Sequence, residues 1–325
     1  MLPVRYKEID IFKGILTLSM IFAHCLQFFI LQSRENAVAT LLSEYINLTT
    51  FSGFMFSFGF VCWHAYINKP FHKTSKSIAI NFFKILAAFY ISSFAFRIFI
   101  DKMPVNQNRI LEILLIKRLA GWSEFLLSFA AVLLLVFVFH GLMQKAGSKL
   151  PHIIGAISIA ACLLPIRVSS PLTALFLGQA DFPVFAVLPY CLYFTCGILF
   201  AQKDIRKANT KFFIVGAAGF ACFSAMFFIS GLPSRFPLSF AWLVGAMPFV
   251  YMYYLMSIWL KRFKQCDILQ TIGANSLFYL LLSNVFIFAL RCAPFFRASM
   301  SFTVTVFFVI VCAIYYLQRL VAAKN

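Results

Sequence analysis

Charged residues are scarce in this sequence. Only 12% of the 325 residues are Asp, Glu, Lys or Arg, and only 10 are acidic. A soluble domain carries about twice that charged fraction. By contrast, 62% of the residues are hydrophobic, 18% are aromatic, and the mean hydropathy is +0.90. This composition excludes soluble enzymes and disordered chains, and it predicts an all-α fold, a polytopic helical membrane bundle.

Metal-binding motifs are also missing. The sequence has nine Cys, but none of them stands in a Cys-x-x-Cys or Cys/His spacing. We therefore expect neither a metal site nor a disulfide scaffold, and we interpret the cysteines as small packing residues. The first apolar run is interrupted by Asp10 and Lys13 and has no small-residue cleavage site, so we interpret it as a retained span rather than a signal peptide.

Ten apolar segments are long enough to be candidate membrane spans, each needing about 20 residues, although the fifth and sixth are short. They leave no stretch for a separate soluble domain, which predicts a single membrane domain over residues 1–325. The candidate spans are 9–31, 45–67, 78–100, 122–143, 151–167, 184–201, 212–231, 239–260, 270–290 and 300–321.

Basic residues exceed acidic ones by 28 to 10, a net charge of +18. In a soluble protein this excess would indicate nucleic acid, but in a membrane protein basic residues collect in cytoplasmic loops. One alternate set of loops and tails holds 16 Lys and Arg, and the other holds 9. This bias predicts that both termini are cytoplasmic. We expect membrane lipids and phosphorylated ligands as partners, and no nucleic acid.

Three ionisable residues, Asp10, Lys13 and His24, occur in the first candidate span. Lys13 and His24 are eleven residues apart, which is close to three helical turns, so both lie on one helix face about 16 Å apart. Asp10 is positioned to pair with Lys13. Ionisable groups inside a span are functional candidates. The alternative is an interfacial ion pair together with a core histidine that hydrogen-bonds to a neighbouring helix.

The segment Ile9–Ile15, followed by His24, resembles the opening of the acyltransferase 3 family of integral-membrane O-acyltransferases. Two positions depart from the family pattern: Lys13 stands where Arg is frequent, and Ser283, followed by Asn284, stands where a second His is frequent. Further stretches that resemble family segments are Phe56–Phe60, the pair Lys73 and Lys76, Trp122–Leu126, Tyr190–Gly197 and Ile272–Leu277.

The resemblance implies an O-acetyltransferase of a bacterial cytoplasmic membrane. Its donor would be an acyl-CoA, most often acetyl-CoA, and its acceptor a hydroxyl of a cell-envelope carbohydrate or a lipid-linked saccharide. His24 would act as general base or as a covalent acyl acceptor. The donor would be held at the cytoplasmic mouth by Asp10, Lys13, Lys73 and Lys76.

Two further residues lie at a depth comparable with His24. Glu124 could orient the imidazole, and Asn284 could donate to a developing oxyanion. The alternatives are a solvated carboxylate at a helix start and an interhelical hydrogen bond. The other four histidines are interpreted as loop or interfacial residues. The rival functions are a transporter or flippase of a lipid-linked saccharide and a membrane protein without catalysis.

Overall fold

The protein is all-helical where the computed structural model describes it, over residues 5–31, 36–103, 107–117, 121–163, 170–178, 183–293 and 299–322. Short π-helical turns extend the first two helices at Gln27–Leu31 and Trp63–Ile67. The helices are α1 Lys7–Leu26, α2 Ala37–Cys62, α3 Phe71–Phe99, α4 Gln107–Leu114, α5 Glu124–Val138, α6 His140–Ala146, α7 Leu150–Leu163, α8 Pro171–Leu177, α9 Val187–Gln202, α10 Thr210–Ser230, α11 Phe240–Gly245, α12 Met247–Leu260, α13 Asp267–Ala274, α14 Ser276–Arg291 and α15 Met300–Ala322.

Seven helical stretches in the described residues are long and apolar enough to cross a membrane. The pair α13 and α14, bent by 74°, forms an eighth stretch if it counts as one broken span. The predicted fourth and sixth spans correspond to the shorter apolar helices α5 and α9. The prediction of a polytopic helical membrane protein is therefore confirmed, whereas the count of ten spans and the orientation remain predictions.

Several predicted boundaries between spans and loops were wrong. The second helix begins at Ala37, where the Asn36 side chain accepts a hydrogen bond from the Ala39 N–H, so Glu44 lies two turns inside α2. The loop predicted between the fourth and fifth spans is helical, because α6 and α7 are joined by a single 3₁₀ turn at Gly147–Lys149. Residues 164–167 of the fifth predicted span lie outside the described residues.

The two central helices, α1 and α2, are mostly buried, while α10 is mostly exposed on its apolar surface. Glycine lets neighbouring backbones approach closely, as is usual for helices packed in membranes. A Cβ atom on Gly14 would overlap the Leu269 carbonyl of α13, and one on Gly273 would overlap the Asp10 carbonyl of α1. These reciprocal contacts fix α1 against α13.

The bundle has two ends that differ in chemistry. We call the end at Lys7, where α1 begins, the basic end, and the opposite end, near His24, the histidine end. Helices α1, α3 and α14 run from the basic end to the histidine end, and α2 and α5 return. Lys13 and His24 therefore lie toward opposite ends of one helix, as the sequence spacing predicted.

Candidate functional site

His24 is paired with Asn284 inside the bundle. Its side chain is 7% exposed, and Asn284 is fully buried. The His24 Nδ1 atom lies 2.8 Å from Asn284 Oδ1. Helix α1 turns into a π-helical turn three residues later, and such turns are frequent at functional sites. The first and ninth predicted spans thus meet at the two residues that the sequence singled out.

The hydrogen bonds of Asn284 fix the protonation of the His24 ring. The Asn284 Nδ2 group donates to the Trp122 carbonyl at 3.1 Å and to Ser92 Oγ at 3.0 Å. Because a carbonyl can only accept, the amide nitrogen must face Trp122, and Oδ1 then faces His24. His24 Nδ1 therefore carries the hydrogen, which leaves the lone pair on Nε2 for chemistry.

Aromatic rings and hydroxyl groups enclose this pair. The Trp122 ring contacts the His24 ring edge-on, with centroids 5.4 Å apart, and it also packs against the Phe28 ring, with centroids 4.8 Å apart. Ser123 Oγ donates to Ser92 Oγ at 2.9 Å. The segment that leads into α5 thus contributes both a ring against the imidazole and a carbonyl for its amide partner.

Glu124, the first residue of α5, follows this segment directly. Its side chain is 7% exposed, and its Oε2 atom is buried with no hydrogen-bond partner in the described part of the chain. The sequence analysis offered Glu124 as the group that orients the imidazole. In the structure Asn284 holds that position, so Glu124 keeps an oxygen free for another ligand.

Arg235 is a site residue that the sequence analysis counted only as a loop cation. Its guanidinium carbon lies 4.8 Å from the ring centre of Phe185 and 4.6 Å from that of Phe236. Burial lowers the pKa of Arg235, and the nearby Tyr190, Glu124 and Glu44 side chains act in the opposite direction. Arg235 stands between Pro233 and Pro237, next to the aromatic Phe236. This pattern was the feature of the sequence that could have indicated a loop folded against the protein interior.

A cavity of about 660 Å³ opens at the basic end. The Asp10 carboxylate joins two of its cations, with Lys13 Nζ at 2.9 Å and Arg5 Nε at 3.1 Å. The predicted pairing of Asp10 with Lys13 is therefore present. The polar groups that line this basic cavity are Arg5, Tyr6, Asp10, Lys13, His64 and Lys69, so its side chains carry a net positive charge.

A second, apolar cleft of about 240 Å³ shares Lys13 and Val61 with the basic cavity. Most of its wall is apolar, with Lys84 and Asn81 from α3 as polar exceptions. Phe125 of α5 also lines it, next to Glu124, and Leu280 of α14 lies one turn before Asn284. The cleft therefore extends from the basic cavity to a residue next to Glu124 and to a residue one turn from Asn284, while His24 itself is not among its lining residues.

Lys73 and Lys76, the other two predicted donor-binding residues, lie on the exposed surface of α3 and are not among the residues that line the cavity. His140 differs from its interpretation as a loop or interfacial residue, because it is 1% exposed and hydrogen-bonds to the Tyr66 carbonyl. His64 lies near the end of its helical stretch and stacks on Tyr6, with ring centroids 4.5 Å apart. The polar cavity residues that the sequence did not indicate are thus Arg5, Tyr6, His64 and Lys69.

Comparison with known families gives one match. Residues 5–236 match the profile of the family described as "Heparan-alpha-glucosaminide N-acetyltransferase, catalytic". The chain belongs to this family. No curated protein and no solved structure matches it. As a member of this heparan-alpha-glucosaminide N-acetyltransferase family, the protein is a membrane acetyltransferase, which favours the enzyme over the two rival functions considered from the sequence.

The resemblance to the acyltransferase 3 family was therefore wrong. Its strongest element was a short segment, an Asp, a cation and a Gly followed by a His on the same helix face. The profile match extends over 5–236 and decides the question, whereas six short segments in Phe-rich helices carry little information.

Proposed function

We propose that the protein transfers an acetyl group from acetyl-CoA to an amino group of a carbohydrate. The observation that supports this proposal is a buried His24 with a free Nε2 lone pair, together with a cleft that runs from a cationic cavity to within one helical turn of its partner Asn284. The two cavities would hold the nucleotide and the pantetheine arm of the donor, and His24 would act as the base beyond them.

The basic cavity suits the nucleotide part of acetyl-CoA. Lys13, Arg5 and Lys69 face the cavity, so the phosphates would meet cations that a single Asp10 only partly neutralises. The shared lining at Lys13 would then lead the pantetheine arm into the apolar cleft. The anionic head of such a donor would lie in the basic cavity, and its extended arm would lie in the adjoining cleft.

His24 is the residue that we assign to the chemistry. With Nδ1 donating to Asn284, Nε2 would either take a proton from the acceptor or attack the thioester carbon itself. In the first case the acceptor attacks the thioester directly. In the second case an acetyl-imidazole forms, CoA leaves as the thiolate, and the acceptor then takes the acetyl group. Trapping the label on the protein distinguishes these mechanisms.

The acceptor group that we propose is an amine, in place of the hydroxyl implied by the first resemblance. The family to which the chain belongs is named for an N-acetyltransferase that acts on a glucosaminide. We infer that an amino sugar of the cell envelope reaches His24 from the histidine end. The excess of 16 basic residues over 9 supports a cytoplasmic basic end, and hence donor and acceptor on opposite faces of the membrane.

The test is a transfer assay on the full chain, purified in detergent and supplied with radiolabelled acetyl-CoA and glucosamine. We expect free CoA and labelled N-acetylglucosamine, both lost in His24→Ala. Glucose is the matched control acceptor, because it has a hydroxyl in place of the amine, and it should give little product. Donor hydrolysis and transfer both absent from the wild-type protein would overturn the proposal. A protein-bound label without acceptor identifies the covalent mechanism.

A further inference from the structure

We propose that Glu124 is a second catalytic residue, which binds the acceptor ammonium and removes its first proton, with Arg235 and Glu44 as positioning residues. This inference rests on the proposed function and names the acceptor site of that reaction. It starts from buried polar atoms at the histidine end that lack a hydrogen-bond partner in the described part of the chain, namely Gln27 Oε1, Glu124 Oε2 and Arg235 Nε.

An unpartnered carboxylate oxygen inside a protein is costly, because ionised groups need partners when they leave water. Glu124 begins α5, where the helix dipole favours its ionised form. One of its oxygens still lacks a hydrogen bond, although its side chain is 93% buried. Nothing in its own helix requires this cost, so the free oxygen points to a ligand that arrives from outside.

The charges around Glu124 favour a cation as that ligand. Arg235 interacts electrostatically with Glu124 and with Glu44, so two carboxyl groups share a single guanidinium. The Phe185 ring beneath the Arg235 guanidinium is tied to α5, because Ser128 Oγ, one turn beyond Glu124, donates to the Phe185 carbonyl at 2.6 Å. An ammonium group would balance the site, whereas a neutral hydroxyl would not.

The site is connected to His24 by direct contacts. Trp122, two residues before Glu124, packs against the His24 ring and accepts from Asn284 Nδ2. Arg235 interacts electrostatically with Glu124, and it is also the shared partner of His24 of α1, Glu44 of α2 and Tyr190 of α9. Glu124 and His24 are therefore parts of one electrostatic cluster.

Proton balance gives each of the two groups a task. N-acetylation of an ammonium breaks two N–H bonds and the thioester C–S bond, and forms one C–N bond. The Nδ1–H of His24 is committed to Asn284, so its ring has one site, Nε2, for a proton. Glu124 takes the first proton and frees the amine lone pair for attack. His24 takes the second and passes it to the CoA thiolate, and the proton on Glu124 leaves to solvent.

Substitution of Glu124→Gln keeps the shape of the side chain but removes its basicity. We expect transfer to glucosamine near neutral pH to fall by about 10²–10⁴-fold, with acetyl-CoA binding unchanged. Raising the pH should restore part of the loss, because solvent then supplies the unprotonated amine. The matched control is Glu112→Gln on α4, which should retain wild-type kcat and the wild-type pH profile.

Acceptor binding to the wild-type protein gives a test that does not depend on the variant folding. Glucosamine should protect the protein against thermal unfolding at concentrations about tenfold to a hundredfold lower than glucose does, as for a charge-assisted hydrogen bond. Equal protection by the two sugars, or an unchanged pH profile in Glu124→Gln, would overturn the assignment. If the wild-type protein did not bind acetyl-CoA at all, this result would instead count against the proposed function.

Discussion

The Nδ1 atom of His24 lies 2.8 Å from Oδ1 of Asn284, although 260 residues separate them in sequence. The same amide donates to the Trp122 carbonyl, in the turn before α5, and to the Ser92 hydroxyl of α3. Three segments thus determine which nitrogen of the imidazole is free. Positioning of this kind is where small displacements are costly, since a shift of about 1 Å can reduce a rate a hundredfold.

Replacing Asn284 should therefore affect turnover more than donor binding. Asn284→Leu removes the acceptor for His24 Nδ1–H and lets the ring rotate, so we expect kcat to fall about a hundredfold. Ser92→Ala removes only one of the two acceptors of the amide, so its effect should be smaller. Steady-state rates at saturating acetyl-CoA measure both, and a Leu variant with full kcat would contradict the positioning role.

His24 itself should be indispensable for transfer. We expect His24→Gln to lose about 10²–10⁴-fold in kcat, because the amide hydrogen-bonds but accepts no proton near neutral pH. Equilibrium binding of acetyl-CoA should persist, since Lys13 and the basic cavity are unchanged. An active Gln variant would leave His24 as a packing residue, and intact donor binding confirms that the inactive variant is folded.

The cations of the basic cavity should contribute unequally to donor binding. Lys13 lines both cavities, so Lys13→Gln should raise the KM for acetyl-CoA about tenfold. The double substitution Lys73→Ala with Lys76→Ala changes exposed charges outside the cavity and should change KM about twofold or less. Assays at low and high salt check the difference, because screening removes contributions of exposed charges first. A larger effect of the double variant would reverse this assignment.

The close contact between α1 and α13 predicts a stability effect. Gly14→Ala places a Cβ against the Leu269 carbonyl, so we expect a loss of about 1–3 kcal/mol. Gly141→Ala is the control, because nothing lies within 4 Å of its Cβ position. That helical position should be neutral or gain up to about 1 kcal/mol. Thermal unfolding in detergent compares the two, and equal midpoints would contradict the packing argument.

Topology is tested with a reporter fused after Asn325. The excess of basic residues in one set of loops predicts that this terminus is cytoplasmic, on the same side as the basic cavity. A paired fusion in the segment between α10 and α11 should report the opposite face. A periplasmic signal at the carboxyl terminus would move the donor site to the wrong side of the membrane.

Local patterns in the sequence were sufficient to predict some features. The low charge and long apolar runs indicated a helical membrane protein, and the 3.6-residue period put Lys13 and His24 on one face of α1. The starts of helices were harder to predict. Asn36 caps α2, so the helix includes Glu44, whereas hydropathy alone placed Glu44 in a loop.

Features that depend on distant contacts could not be obtained this way. Arg235 is followed and preceded by residues typical of a loop, and only the folded chain brings it against the Phe185 ring. The partner of His24 was equally hidden, because Asn284 lies in another helix and serves there as a hydrogen-bonding amide. Glu124 was identified as a candidate from its depth, but the choice between it and Asn284 required coordinates.

Helix α1 carries both Lys13 and His24, and its backbone contact with α13 prevents it from sliding along its axis. The helix therefore fixes the distance between the cation and the imidazole at about 16 Å along its axis. A donor whose arm was shortened would leave its thioester below His24. A longer acyl group would have to extend past the thioester into Trp122 and Phe28, which are packed together at 4.8 Å. In the proposed reaction, this spacing and the contact between Trp122 and Phe28 would favour the smallest acyl groups.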